Sequence, residues 1–119
     1  CSALDAAFGR LADTLAATGR DRDTIVIFTS DHGDMLGSQG MFRKQKPWAE
    51  SVRVPFLVRL PGQRDGRRVA GPVSQVDVVP TLLDLLGQEI PGHLQGRSLR
   101  PLWEAVRSAR VGPEMVARG

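Results

Sequence analysis

Thr24-Ile25-Val26-Ile27-Phe28-Thr29-Ser30-Asp31-His32-Gly33-Asp34 decides the reading of this 119-residue chain. An apolar, β-branched run leads without interruption into an acid, an imidazole and a glycine. A continuous apolar strand suits a sheet covered on both faces. In open α/β sheets, functional groups collect beyond the carboxyl ends of the strands, and loops held by a rigid sheet carry chemistry more often than strands do. Asp31 and His32 are therefore the first candidates for a metal or oxyanion site. The dipeptide alone is weak ground: an Asp after a strand commonly caps a turn or helix, and a metal takes roughly three or more protein ligands. The neighbouring sequence has to decide.

Outward from that strand the chain reads as helix, strand, long loop, strand, turn-rich segment, helix and tail. Leu4, Phe8, Leu11 and Leu15 stand four, three and four apart, the spacing of one helical face, and Gly19 is placed to end that helix. This predicts a helix over 3–18 and a strand over 24–29. Residues 33–52 form an irregular loop punctuated by Gly33, Gly37, Gly40 and Pro47, a length uncommon in compact domains unless the loop is functional. Val54 to Leu60 makes the second strand, with Pro55 near its start, where a missing amide proton is tolerated. Pro61-Gly62 ends it, and Gln63 to Gly71 is polar and basic, a surface hairpin or loop. Pro80 to Leu86 reads as a short helix closed by Gly87, with Asp77 as its cap.

From Ser30 onward, SDHGDMLGSQGMFRKQKPWAESVRVPFLVRLPG resembles the sulfatase branch of the alkaline phosphatase superfamily. The resemblance combines Asp31-His32-Gly33 after an apolar strand, the Leu36-Gly37 turn, Gly40, and Lys44 thirteen positions after Asp31. It continues through Glu50-Ser51-Val52-Arg53-Val54-Pro55, a second apolar strand and Pro61-Gly62. Val76 to Gly87 and Gln95 to Leu99 resemble two further segments of that family.

What the resemblance implies is an α/β fold, here a fragment of an alkaline-phosphatase-like α/β/α sandwich with a mostly parallel central sheet. Residues 1–106 would be part of the catalytic domain, with 107–119 an unassigned tail. The implied activity is hydrolysis of a sulfate ester or sulfamate on a sulfated small molecule or glycan. It uses one divalent cation, commonly Ca2+ with Mg2+ or Mn2+ as alternatives, and a formylglycine made from Cys or Ser. In that family the residues matching Asp31 and His32 sit at the metal, the second being Asn in many members, and the residue matching Lys44 binds the sulfate. His32 is carried as a metal neighbour or a catalytic sulfate contact. Hard calcium prefers oxygen ligands, and a lysine ammonium is a point charge for an anionic ester oxygen.

The chain departs from the family pattern in places. The modification motif sets Pro two and Arg four residues after the Cys or Ser that becomes formylglycine. Cys1 is followed by Ser2, Ala3, Leu4 and Asp5, and no Ser fits either. A pair of acidic metal ligands expected near the family's N-terminus has no counterpart. Gln39 stands where many relatives have His, leaving an amide that still donates a hydrogen bond. The chain is thus expected to be a piece of the C-terminal half of the domain, partnered by the missing N-terminal half and inactive alone. The alternatives are a phosphomonoester or phosphonate-ester hydrolase of the same superfamily, and a non-catalytic anion-binding half-domain.

Composition sets bounds. An apolar share of 41% with 24% charged residues is that of a globular protein. No apolar run of about 18 residues and no signal-peptide pattern occurs, so no membrane partner is expected. The single cysteine leaves the compartment undecided. Net charge is +3, and eight basic residues between Arg43 and Arg68 face only Glu50 and Asp65. Such a cluster attracts anions. With few aromatics and no nucleic-acid motif, an anionic ester is the expected partner and nucleic acid is not. Lys46 competes with Lys44 as sulfate ligand. Trp48 is expected to pack the loop onto the sheet, Glu50 and Arg53 to pair, Asp84 to face solvent, and His93 to lie in a surface turn.

Overall fold

A computed structural model describes residues 2–108 of the chain. The described residues fall into two compact units that divide after Asp65. The first holds helix α1 (Ser2–Ala17), strand β1 (Val26–Thr29), the one-turn helix α2 (Ala49–Val52) and strand β2 (Phe56–Arg59). The second holds helices α3 (Val78–Leu85) and α4 (Arg100–Ser108).

β1 and β2 pair with Val26 opposite Arg59, Ile27 opposite Val58, Phe28 opposite Leu57 and Thr29 opposite Phe56. The pairing is antiparallel, and it is the only sheet among the described residues. The expected mostly parallel order is therefore not what this pair displays: the chain returns through the long loop and runs back beside β1. Both strands are shorter than the apolar runs that announce them, because only the directly paired residues complete a ladder.

Helix α1 turns Phe8, Leu11 and Leu15 toward this ribbon, while Leu4, at the start of the same face, stays exposed. Phe8 meets Phe28 edge to face, with ring centroids 5.5 Å apart. An apolar cleft of about 220 Å³ remains between them, lined by Phe8, Leu11, Leu15, Val26, Phe28 and Leu57 among others. No α1 residue is fully buried, and the β1 side chains are only half-covered. The two-sided burial expected of the apolar run is not reached with the strands present.

The second unit is held by polar ties. Ser74 and Asp77 form a capping box ahead of α3, Asp77 also accepts the Arg97 amide at 3.0 Å, and Thr81 accepts the Leu99 amide at 2.9 Å. Leu99 is thereby seated at 1% exposure. Asp84 does not face solvent as expected. Its carboxylate accepts the Ser98 hydroxyl at 2.5 Å and lies 3.4 Å from Arg100. Helix α4 was not foreseen; Ser98, whose hydroxyl accepts the Arg100 amide at 3.2 Å, and Pro101 in the first turn are its start signals. His93 does lie in an exposed turn, closed by the Leu94 amide on the Pro91 carbonyl at 3.0 Å. Cys1 and residues 109–119 of the tail lie outside the described residues.

Candidate functional site

Ser30, Asp31 and His32 leave the end of β1 in a tight polar turn. The Ser30 hydroxyl donates to the His32 carbonyl at 2.8 Å, and the His32 amide donates to Asp31 Oδ1 at 3.0 Å. His32 Nδ1 lies 2.7 Å from the Gly33 carbonyl oxygen. A carbonyl only accepts, so the proton sits on Nδ1 and Nε2 is turned elsewhere. Nε2 stands 3.2 Å from Asp31 Oδ2. The Asp31 side chain is 82% exposed. Partial desolvation is the largest single influence on its carboxyl and pushes its pKa upward. The His32 amide, the His32 ring, its own amide and the Ser30 hydroxyl act the other way and together hold it below the usual value.

Gly33 has a definite reason to be glycine. A Cβ there would collide with the Glu50 carbonyl, because the start of the loop presses against α2. The Gly33 amide donates to the Ser51 carbonyl at 2.9 Å, and the buried Ser51 hydroxyl accepts the Lys46 amide at 3.2 Å. Between these ties, Met35, at 1% exposure, donates its amide to the Arg43 carbonyl at 3.2 Å. Glu50 does not pair with Arg53 as expected; it accepts the Ser38 hydroxyl at 2.5 Å, which lowers its pKa.

Lys44 is exposed at the far turn of this loop, between Arg43 at φ 71° and Gln45 at φ 68°. Left-handed backbone at non-glycine residues is costly and collects at functional sites. Among the described residues Lys44 makes no hydrogen bond or ion pair, and neither does the Lys46 ammonium. Trp48 remains 44% exposed rather than packed away. The structure thus brings Asp31 and His32 together and leaves Lys44 on the same stitched loop without direct contact to them. Asp34 is engaged in a turn, accepting the Leu36 amide at 2.9 Å. No cluster of three or more His, Cys, Asp or Glu side chains occurs among the described residues. The Asp31–His32 pair can therefore supply only part of a cation's shell. The apolar cleft beside α1 takes no part in this arrangement, since none of its lining residues lies in 30–52.

Sequence reasoning did not single out Ser51 or the Ser38–Glu50 pair. Both act across more than four residues of irregular backbone, where no periodicity reports a contact.

The profile of the sulfatase family matches residues 2–88. An ulvan-active sulfatase from Formosa agariphila is 41% identical over 105 residues, covering 85% of this chain and 20% of that protein. Phosphonate monoester hydrolase from Silicibacter pomeroyi superposes with a TM-score of 0.77 at 40% identity, over 82% of this chain and 19% of that one. A structure solved in complex with its substrate, D-glucosamine-2-N,6-O-disulfate, superposes with a TM-score of 0.71 at 38% identity, over 79% of this chain and 19% of that one. This chain spans about a fifth of the length of these relatives. The likeness shows an α/β fold of the kind shared by sulfatases and phosphonate hydrolases, of which the two-stranded sheet is a small part.

Proposed function

This chain belongs to the sulfatase family, and from that premise we propose that it furnishes the cation-binding and sulfate-binding part of a sulfuric ester hydrolase. One observation carries the reading: just past β1, the Asp31 carboxylate and His32 Nε2 converge to 3.2 Å while Nδ1 is committed to the Gly33 carbonyl. With Nδ1 bonded to the Gly33 carbonyl, Nε2 is the ring nitrogen left to face the carboxylate, and the two would serve as neighbouring donors to one cation. Asp31 would hold a divalent cation through oxygen, as Ca2+ prefers, with Mg2+ or Mn2+ as alternatives; His32 would sit beside it as the softer donor. When bound, such a cation polarises the ester and lowers the pKa of an oxygen nucleophile. A formylglycine nucleophile, as the family resemblance implies, would come from residues outside this chain.

Within the chain, Lys44 presents a compact positive charge to the sulfate oxygens, where negative charge grows as the ester bond breaks. The substrate class is a sulfated small molecule or glycan, supported by the ulvan-active and glucosamine-disulfate relatives. The two strands would belong to a larger, mostly parallel sheet completed by the other half of the domain, since an antiparallel edge on such a sheet is common. A second reading, phosphonate or phosphate monoester hydrolysis, is favoured by the likeness to a phosphonate monoester hydrolase.

The test compares kcat/KM on an aryl sulfate, an aryl phosphate and an aryl phosphonate monoester, using the complete domain that carries these residues. Preference for the sulfate, lost on chelation and in Asp31→Ala, is expected. Preference for either phosphorus ester would move the assignment to the second reading. Sulfate binding without turnover of any ester would make the chain a non-catalytic anion-binding module.

A further inference from the structure

We infer that Ser51 is the positioning residue that sets Lys44 relative to the Asp31–His32 pair, an inference that rests on the sulfate role proposed for Lys44. The Lys44 side chain is exposed and makes no hydrogen bond or ion pair among the described residues, so its placement follows the backbone on either side. That backbone is not at rest by itself. Arg43 and Gln45 both hold left-handed conformations, which L-residues adopt only against a steric penalty, so the turn needs ties to keep its shape.

On the upstream side the tie is the Arg43 carbonyl accepting the Met35 amide at 3.2 Å. On the downstream side it is the Lys46 amide donating to the Ser51 hydroxyl at 3.2 Å. Ser51 then reaches the other end of the site: its carbonyl accepts the Gly33 amide at 2.9 Å, immediately after His32. One residue, 4% exposed, is thus bonded through its hydroxyl to the lysine arm and through its main chain to the ligand arm. The first turn of α2 fixes Ser51 in place, its amide donating to the Trp48 carbonyl at 2.9 Å. Ser51 is too far inside the fold to meet a substrate, and its hydroxyl is the only side-chain group among the described residues joining the Lys46 backbone to α2.

The consequence is specific. Ser51→Ala keeps the carbonyl tie to Gly33 and removes only the acceptor for Lys46, so the cost falls on where Lys44 stands. A positioned group displaced by about an ångström loses up to about a hundredfold in rate; a loop freed at one of two ties should lose about tenfold.

The test is a double-mutant cycle in kcat/KM on an aryl sulfate, with wild type, Ser51→Ala, Lys44→Ala and the pair, each in the complete domain and below its melting temperature. Residues acting through one another are non-additive, whereas independent structural effects add. The expected result is a loss for Ser51→Ala that vanishes when Lys44 is already alanine. Ser51→Thr, which keeps the acceptor, should stay near the wild-type rate. An equal loss from Ser51→Ala in both backgrounds would overturn the positioning role while leaving the sulfate reading intact. So would a Ser51→Thr variant as slow as alanine at an unchanged melting temperature. Near-normal turnover by Lys44→Ala alone would remove the sulfate reading itself, and this inference with it.

Discussion

Gly33 approaches the Glu50 carbonyl, and Gly96 the Val76 carbonyl, so closely that a Cβ at either position would collide with backbone. Both regions then add a buried polar residue that ties two chain segments: Ser51 in the first, Asp77 in the second. There the likeness ends. Asp77 has both carboxylate oxygens filled by backbone amides, from Ser74 and Arg97, each at 3.0 Å. Thr81 and Leu99 are bonded beside it, and no described non-glycine residue of 74–100 has left-handed backbone. In the loop after β1, Leu36, Gln39, Arg43 and Gln45 all do, and the charged side chains of Asp31 and Lys44 are exposed. One region uses close glycine contacts and buried ties to lower its energy. The other spends similar ties on holding a strained turn that displays charges, the pattern expected where geometry serves a ligand.

The largest effects should come from the two glycines. Alanine at either position has nowhere to go except by moving backbone, and overpacking of this kind costs about 3 kcal/mol. Urea unfolding of the two variants should show similar losses. Their functional consequences should differ: folded Gly96→Ala should retain turnover in the complete domain, and folded Gly33→Ala should not. Equal activity in both would erase the distinction between the regions.

Asp77 gives the next effect. Removing its carboxylate in Asp77→Ala leaves two amides without their acceptor and should cost about 1–3 kcal/mol. The Arg97 and Ser74 amides hold the folded pKa of Asp77 below its ordinary value. A depressed pKa contributes stability that is full above the unfolded value, about 3.9, and is lost as pH falls through the folded value. Wild type should therefore exceed Asp77→Ala in stability at neutral pH and approach it in acid. A gap between the two that stays constant from pH 7 into the acid range would show that the carboxylate's charge is not what the two amides stabilise.

The elements with simple periodicity were legible. Leu4, Phe8, Leu11 and Leu15 announced α1, the apolar run to Thr29 announced β1, and Pro80 with Gly87 bracketed α3 to within a few residues. The position of Asp31 and His32 just past β1 was legible, because a strand running into an acid and an imidazole leaves their side chains at its end. The direction of β2 was not, since a long loop between two strands permits either pairing. Asp84 was misread because its partner Ser98 lies fourteen residues away, and α4 because its start follows an unpatterned segment. Ser51 was invisible for the same reason: what matters about it is which distant amides its two oxygens accept.

Lys44 and Lys46 separate a charge placed for a ligand from a merely solvated one. Two lysines two positions apart share one exposed turn, and only Lys44 sits between two left-handed residues, at the offset from Asp31 that resembles the family's sulfate-binding lysine. Removing a charge aimed at developing negative charge costs on the order of 2.7–4 kcal/mol, about a hundredfold or more in rate. Removing a solvated lysine changes stability by less than about 0.5 kcal/mol and leaves the chemistry alone. The decisive measurement is kcat/KM of Lys44→Ala beside Lys46→Ala on a small aryl sulfate in the complete domain, with folding followed by circular dichroism. A loss of about a hundredfold or more at Lys44, with Lys46→Ala near wild type, is the predicted result; equal losses, or a larger one at Lys46, would contradict it.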